Sequence, residues 1–283
     1  MSRSTDISPL SILLSRVDAV ADGSPSADTI TSGFPSLDKM LGGGFRHGDL
    51  IVLGGDVASG KSALSLAFAI RASLERFRVG FLTAEMALER VLERMIAIEG
   101  RVRIDDLRQG RLDDIGRANA GAVAVRLRDH MPLVERLPAG GTRELTELLD
   151  ERPTLDLLIL DSLQSFGHGQ RDQDEELAAS VRELKALALE RGVAILTTAQ
   201  LPQLATRPDR RPVLDDFGAL GAVKQHADIV LALFREEMYE SARDIAGATE
   251  LLVRKNRNGG AGYVDLFFYP QWMRFEDMLD PVR

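Results

Sequence analysis

One eight-residue stretch has the spacing of a phosphate-binding loop. Residues 55–62 read GDVASGKS, the pattern G-x-x-x-x-G-K-[ST], and the helical pattern Ser62–Ala72 follows. In such a loop the backbone N–H groups surround phosphate oxygens, and the helix N-terminus favours negative charge. The pattern predicts that Lys61 contacts the β- and γ-phosphates and that Ser62 ligates Mg²⁺, the alternative being a glycine turn before an accidental Lys-Ser pair. The predicted nucleotide-binding positions here are Gly55, Val57, Ala58, Ser59, Gly60, Lys61 and Ser62.

Three polar residues at the ends of other apolar runs are candidates to complete this site. Asp161 ends LLILD and would hold the metal, while Glu85 ends VGFLTAE and would orient the attacking water. Gln200 ends AILTTAQ, where its amide would contact the γ-phosphate. Each residue has a structural alternative: a helix cap for Asp161, a helix N-terminal acid for Glu85, and a polar strand end for Gln200.

Five apolar runs predict the strands that position these residues. They are Asp49–Gly55, Val79–Ala84, Leu155–Asp161, Gly192–Gln200 and Ala227–Phe234. Continuously apolar strands are typical of a parallel sheet that is buried on both faces. Helical patterns separate the runs, whereas Thr249–Tyr269 reads as strand, Asn/Gly-rich turn and strand. The sequence therefore predicts an α/β fold with a mostly parallel central sheet and a C-terminal antiparallel hairpin.

The composition is typical of a globular protein with a sizeable core, since 45% of the 283 residues are hydrophobic and 28% are charged. The lack of cysteine excludes disulfides, thiolate zinc sites and a cysteine nucleophile. No apolar stretch approaches the roughly 20 residues of a membrane span, so we expect a cytoplasmic protein that does not associate with membranes. A net charge of −8 argues against coating nucleic acid with the whole surface. Local basic linings remain possible at Arg207–Pro212 and Arg254–Gly260, which are otherwise solvated loops.

Residues 1–30 are predicted to form an N-terminal arm, and residues 31–283 a single ATPase domain. Within the arm, Ser8–Val20 has an amphipathic helical pattern, and the small-residue tether Ala21–Thr29 follows. The stripe consists of Leu10, Ile12, Leu13 and Val17. Because so short a helix is unstable alone, we expect it to dock, with a neighbouring subunit as one partner. The alternative is a frayed tail.

Together these pieces resemble the RecA-like motor domain of DnaB-type replicative helicases, over about Thr31 to Glu276. Segments similar to family motifs occur in the family's order: SGFPSLDKMLGGGFRHGDLIVLGG, FLTAEM, RVRIDDLRQGRLDD, LLILDSLQSF, AQL, HADIVLALFREEMY and VRKNRNGGAGYVDLFFYPQWMRFE. The resemblance implies a RecA-like P-loop NTPase fold. It also implies ATP and Mg²⁺ as ligands, a homo-oligomeric ring of six subunits, and single-stranded DNA as a partner.

The resemblance also implies roles for individual residues. Glu85 matches the family's catalytic glutamate, Gln200 its γ-phosphate-sensing glutamine, and Arg94 a nucleotide-contacting arginine. Lys255 and Arg257 match the K-x-R-x-G pair that inserts into the ATP site of the neighbouring subunit. The implied catalytic set is thus Lys61, Glu85, Gln200, Lys255 and Arg257.

Two features depart from the family pattern. We expect no counterpart of the family's N-terminal primase-interacting domain within these 283 residues, and Ser8–Val20 resembles the linker helix that docks on an adjacent subunit. In the DNA-facing loop, Gly218, Ala219 and Leu220 replace the family's Arg-Glu-Ser. The expected DNA contacts are therefore Arg207, Arg210 and Arg211, together with the backbone of Gly218, Ala219 and Gly221.

The sequence favours a Mg²⁺-dependent ATPase ring that is coupled to single-stranded DNA, as in a helicase relative. One alternative is a non-translocating ATPase, similar to clock-protein relatives, whose nucleotide state controls assembly or partner binding. A ring that binds ATP without hydrolysing it is disfavoured because Glu85 and Arg257 are both present.

Overall fold

The predicted apolar runs form strands of one large sheet. The computed structural model describes residues 9–21, 28–152, 154–166, 173–202, 207–239 and 246–278. Its strands are β1 Thr29–Ile30, β2 Phe45–Arg46, β3 Leu50–Gly55, β4 Val79–Thr83, β5 Leu133–Arg136, β6 Leu157–Asp161, β7 Ala194–Gln200, β8 Ile229–Phe234, β9 Ala248–Asn256, β10 Gly262–Tyr269 and β11 Arg274–Asp277. Its helices are α1 Pro9–Ala21, α2 Pro35–Leu41, α3 Lys61–Leu74, α4 Leu88–Gly100, α5 Ile104–Arg108, α6 Asp114–Arg128, α7 Gly141–Asp150, α8 Gln173–Arg191 and α9 Ala222–His226.

The central sheet has the strand order β11-β10-β9-β8-β3-β7-β6-β4-β5. Strands β8, β3, β7, β6, β4 and β5 pair in parallel, whereas β9, β10 and β11 add antiparallel ladders at one edge. The mostly parallel sheet and the C-terminal hairpin are thereby confirmed. Two further strands, β5 and β11, were not predicted from the sequence.

Alternation within each strand explains why the runs are continuously apolar. In β3, Ile51 and Leu53 belong to a core that includes residues of α3 and α4, and Leu50 and Val52 belong to a second core with residues of α8. All four side chains are fully buried. Because helices cover both faces of the sheet, neither face keeps a polar residue at these positions.

The amphipathic stretch near the N-terminus forms α1, as predicted. Its apolar residues Leu10, Leu13, Leu14 and Val17 are exposed. Most of the predicted tether, residues 22–27, lies outside the described residues. Ile30 is fully buried in the first core, and the division into an arm and one ATPase domain stays a prediction. Within the described ranges, no helix combines the length and the apolar character needed to span a bilayer.

Candidate nucleotide site

The loop 55–62 joins the end of β3 to the start of α3, as its sequence pattern predicts. Gly60 has φ +105° immediately before α3, and a Cβ there would lie 2.8 Å from Cζ of Phe275. Only glycine meets both conditions without strain. The loop therefore packs directly on the core while α3 directs its N-terminus towards the loop, as in phosphate-binding sites.

Lys61 is held against the loop that precedes it. Its Nζ donates hydrogen bonds to the backbone oxygens of Gly55 at 3.0 Å and Asp56 at 2.8 Å. Burial lowers the pKa of Lys61, while the negative charges of Asp161, Glu85 and Asp56 act in the opposite direction. A phosphate oxygen could replace either carbonyl oxygen as the acceptor, and that hydrogen bond would be stronger because donor and acceptor are both charged.

Asp161 ends β6 and meets two hydroxyl groups. Its Oδ1 accepts hydrogen bonds from Ser62 Oγ at 3.1 Å and from Thr198 Oγ1 at 2.6 Å. Its Oδ2 is buried and has no hydrogen-bond partner among the described residues. Burial raises the pKa of the Asp161 carboxyl group.

These oxygens fit a magnesium site. A buried carboxylate oxygen without a partner, next to a serine hydroxyl, offers the hard oxygen ligands that Mg²⁺ prefers. Ser62 and Asp161 would hold the ion, and a bound Mg²⁺ would neutralise phosphate charge and polarise the phosphoryl group.

Glu85 reaches the same region from a strand that is not adjacent to β3. Strands β7 and β6 lie between β3 and β4 in the sheet. Glu85 follows β4 by two residues and is exposed. Its Oε1 accepts a hydrogen bond of 2.6 Å from Ser162 Oγ. The Glu85 carboxylate thus lies beside the end of β6, two residues past the end of its own strand β4.

Gln200 and Arg94 complete the polar wall of one cavity. Gln200 ends β7, and its backbone N–H and C=O exchange hydrogen bonds with the amide of Gln164 at 3.2 and 3.3 Å. Arg94 lies on α4, and its buried Nε has no partner within the described residues. Burial, with the charge of Arg108, lowers the pKa of Arg94. A desolvated guanidinium group of this kind favours an anionic ligand.

The cavity has a volume of about 460 Å³, which lies within the range of small-ligand sites. Predicted residues on its lining are Val57, Ala58, Gly60, Lys61, Ser62, Glu85, Arg94, Asp161 and Gln200. Gly55 and Ser59 also belong to the loop, but they are buried and do not line the cavity. Sequence reasoning missed Ser162 and Thr198, although Ser162 directly follows Asp161. It also missed the apolar residues Phe268, Pro270 and Met273, which give the cavity a wall suited to a nucleobase.

Lys255 and Arg257 lie near the N-terminal ends of the parallel strands, opposite the ends that carry the phosphate loop. Arg257 Nη1 donates to Asp228 Oδ1 at 2.8 Å, and Asp228 also accepts the N–H of Leu50, the first residue of β3. Lys255 Nζ donates to the backbone oxygens of Lys224, Gln225 and Ala227. The phosphate loop begins at Gly55, the other end of β3, five residues from Leu50 or roughly 17 Å along the strand. The structure therefore does not bring these two cations into the cavity of their own chain.

The predicted DNA-contacting arginines are engaged within the chain. Arg207 pairs with Asp216 at 2.8 Å, and Arg211 pairs with Glu250 at 2.5 Å. Arg210 donates to the backbone oxygen of Tyr239 at 3.4 Å. The ion pairs compensate much of the positive charge of Arg207 and Arg211. Their role as DNA contacts stays a prediction.

Residues 218–221 form a tight left-handed turn. Gly218, Ala219, Leu220 and Gly221 all have positive φ angles. Ala219 is buried, whereas the Leu220 side chain is 67% exposed. The N–H of Gly221 donates to the oxygen of Gly218 at 3.0 Å, so this amide is already used inside the turn. The expectation that the Gly221 N–H would be available to phosphate is not met in this conformation.

Comparison with known proteins identifies the family. The family model for the DnaB-like helicase C terminal domain matches residues 29–277. The chain belongs to this family. It is 29% identical over 276 residues to the replicative DNA helicase DnaB of Leifsonia xyli subsp. xyli, an alignment that covers 95% of this chain and 60% of that protein. It is 29% identical over 264 residues to replicative DNA helicase DnaB of Geobacillus stearothermophilus, with 88% and 56% covered.

Solved structures agree on the fold. One that is described as an ATPase domain superposes with a TM-score of 0.85 at 21% identity, covering 96% of this chain and 99% of that one. A DnaB-like replicative helicase, described with its interactions with primase, gives a TM-score of 0.84 at 21% identity and covers 97% and 67%. The RecA-like α/β fold predicted from the motifs is thus confirmed. The chain spans about three-fifths of the length of the curated relatives named above.

Proposed function

We propose that this DnaB-family domain hydrolyses ATP with Mg²⁺ in the cavity between the phosphate loop and β6. The observation that carries the proposal is the meeting of Lys61, Asp161 and Glu85 on one cavity, from three separate strand ends. A cation for phosphate, a carboxylate with a buried unpartnered oxygen and a second, exposed carboxylate are the groups that phosphoryl transfer to water requires. The replicative helicases among the relatives agree with this assignment.

The proposed step is an in-line attack of water on the γ-phosphorus. The water oxygen forms a bond to phosphorus, the bond to the β–γ bridging oxygen breaks, and ADP and phosphate are released. Glu85 orients the water and accepts its proton. Lys61 and Arg94 compensate charge on the phosphate oxygens, and Gln200 contacts the γ-phosphate. Phe268 and Met273 pack against the base.

We further propose a homo-oligomeric ring of six subunits. Support comes from Arg257 and Lys255. Because they lie at the strand ends opposite the cavity of their own subunit, they can reach a nucleotide only in another subunit. The exposed apolar stripe of α1 is a second feature that a neighbouring subunit would cover. ATP and DNA meet in the cytoplasm, where we propose that the ring acts.

Single-stranded DNA is the proposed polymer that the ring contacts, because the relatives are replicative helicases. One observation favours a rival function. Arg207 and Arg211 are paired with Asp216 and Glu250, and the turn 218–221 has no basic side chain. These features also suit an ATPase whose nucleotide state controls assembly or binding of a partner.

Two variants test the ATPase assignment. Lys61→Ala removes the cation that meets phosphate in the ground state, so we expect loss of ATP binding. Glu85→Gln keeps the shape of the site but loses the base, so we expect retained binding and turnover lowered by about 10²–10⁴-fold. Fluorescent-nucleotide titration and phosphate release measure the two properties. Equal loss of affinity in both variants would contradict the role of Glu85.

The same assay separates the two proposed functions. Turnover is measured with increasing single-stranded oligonucleotide at low and at physiological salt, with Glu85→Gln as the blank. A DNA-coupled motor is stimulated, and stimulation weakens as salt rises because phosphate contacts release counterions. An assembled ring that hydrolyses ATP without stimulation at either salt favours the partner-binding ATPase.

A further inference from the structure

We propose that Ser162 is a positioning residue for Glu85: its hydroxyl group fixes one carboxylate oxygen so that the other faces the attacking water. This inference rests on the proposed ATPase function and adds a residue to its machinery. Ser162 Oγ donates to Glu85 Oε1 at 2.6 Å, and both residues line the cavity. That distance is typical of a hydroxyl group bonded to an ionised carboxylate.

The backbone explains why these two side chains meet. Strands β4 and β6 pair in parallel with Thr83 opposite Asp161. The ladder extends one step further, since the N–H of Ala84 donates to the oxygen of Asp161 at 3.0 Å. Glu85 and Ser162 are the next residues along the two chains. The register thus brings both residues to the same end of the paired strands β4 and β6, and the course of each chain just beyond its strand sets the side-chain contact.

The two partners differ in freedom. Ser162 is 5% exposed, and its backbone oxygen accepts the N–H of Ser165 at 3.1 Å. Glu85 is exposed and its side chain has three rotatable bonds, so in isolation it would sample several orientations. A fixed donor that restrains a flexible carboxylate lowers the ordering cost of the reactive geometry.

Other hydroxyl groups do not duplicate this role. Ser62 and Thr198 donate to Asp161, the predicted metal ligand. Among the described residues, Ser162 is the one whose side chain is hydrogen-bonded to the Glu85 carboxylate. The cavity thus assigns separate hydroxyl donors to its two carboxylates. Glu85 therefore does not compete with Asp161 for the hydroxyl groups of Ser62 and Thr198.

Ser162→Ala is the direct test, with kcat and KM for ATP and the Kd for ADP measured on the assembled protein. We expect kcat to fall by about 10- to 100-fold, because misplacement of a reactive group by about 1 Å costs that order of rate. KM and the ADP affinity should change less than about twofold, since the hydroxyl group acts on Glu85 and not on ground-state phosphate. Ser162→Thr keeps a hydroxyl group and should recover most of the lost rate.

Ser180→Ala is the matched control. Ser180 is also buried, but among the described residues its hydroxyl group donates to the backbone oxygen of Glu176 one turn earlier in α8, away from the cavity lining. We expect its kcat to equal that of the wild type. A loss of kcat as large as that of Ser162→Ala would indicate that removal of any buried hydroxyl group is enough, and would overturn the inference.

A double-mutant cycle keeps the inference testable if the threonine methyl group does not fit. In the Glu85→Gln background, Ser162→Ala should lower the residual rate no further, since the group that it positions has lost its function. Equal effects in both backgrounds would overturn the inference. So would a wild-type kcat in Ser162→Ala, or a loss of ADP affinity that matches the loss of kcat. A wild-type protein without Glu85-dependent turnover would instead reject the proposed function.

Discussion

At the scale of single residues, buried and partly buried charged side chains cluster at the strand ends remote from the phosphate loop. Asp228 is 3% exposed and pairs with Lys185 at 2.5 Å as well as with Arg257. Asp49 is also buried, and its carboxylate accepts a hydrogen bond from Asn258 at 3.0 Å. Burial and the negative charge of Asp228 raise the pKa of Asp49 to about 6. This carboxyl group is therefore ionised at neutral pH at a cost to folding.

Asp49→Asn should stabilise the fold at neutral pH. Because the folded-state pKa of Asp49 is raised from 3.8 to about 6, its contribution to stability is greatest at low pH and is lost as pH rises through 6. Each pKa unit corresponds to about 1.4 kcal/mol, so the gain at pH 7.5 is at most about 3 kcal/mol and shrinks towards pH 5. Urea unfolding at both pH values measures it. Asp129→Asn removes an exposed carboxylate and is the control, for which we expect no comparable gain in the free energy of unfolding. A gain in the free energy of unfolding of Asp49→Asn that does not depend on pH would contradict the argument.

At the scale of elements, one aromatic contact joins the segment 207–221 to the centre of the sheet. Phe217 is 7% exposed, and a Cβ added to Gly54 in β3 would lie 2.5 Å from its Cε1. The same Cβ would lie 3.1 Å from Leu201, which follows Gln200 and donates its N–H to Gly55. The absence of a side chain at Gly54 lets the ring pack on the backbone beside the phosphate loop. This contact gives the nucleotide site and the predicted DNA loop a shared core.

Gly54→Ala should therefore destabilise the fold, by about 1–3 kcal/mol, as expected for an overpacked core. Phe217→Leu removes the ring atoms that the new methyl group would meet, so the double variant should recover part of the loss. Gly121→Ala is the matched control, since a Cβ there meets nothing within 4 Å and the residue lies within α6. That change should leave stability unchanged or raise it by up to about 1 kcal/mol. Additive losses for Gly54→Ala and Phe217→Leu in urea unfolding would show that the two residues do not clash.

The elements also show what the sequence could and could not predict. The five predicted parallel strands, β3, β4, β6, β7 and β8, begin within two residues of their predicted positions, because burial on both faces leaves an unbroken apolar run. The runs do not encode the order of the strands, so the position of β6 and β7 between β3 and β4 was not predicted. Strand β11 was missed because Arg274 and Glu276 are polar in sequence, although they are buried as an ion pair at 2.5 Å. Ser162 and Thr198 were missed for another reason. A serine or threonine is identified as part of the site only by the carboxylate that its hydroxyl group contacts, and these contacts are not visible in the sequence.

At the scale of the whole molecule, the two parts of the proposed catalytic site lie at opposite ends of the parallel strands of one sheet. The cavity opens where the parallel strands end, and Arg257 lies where β8 begins. A head-to-tail arrangement of copies would bring Arg257 of one subunit to the cavity of the next, and such contacts form a ring when the rotation between copies closes. Arg257 is held by Asp228 while its side chain stays 51% exposed. The ion pair restrains this guanidinium group, and its exposed surface would be accessible to the nucleotide of a neighbouring subunit.

Mixing two inactive variants tests this geometry. Arg257→Ala should lower turnover by about 10³–10⁵-fold if the guanidinium group acts on the neighbour's phosphate. Its own cavity keeps Glu85, and a Glu85→Gln subunit keeps Arg257, so random mixing at equal amounts makes about a quarter of the head-to-tail interfaces complete. We therefore expect the mixture to regain phosphate release after subunit exchange, which a fluorescence-transfer signal between labelled subunits verifies. Lys61→Ala mixed with Glu85→Gln is the matched control, because both changes damage the subunit's own cavity and no complete interface forms. Exchange without recovery in the first mixture, or equal recovery in both, would show that Arg257 does not act across the subunit boundary.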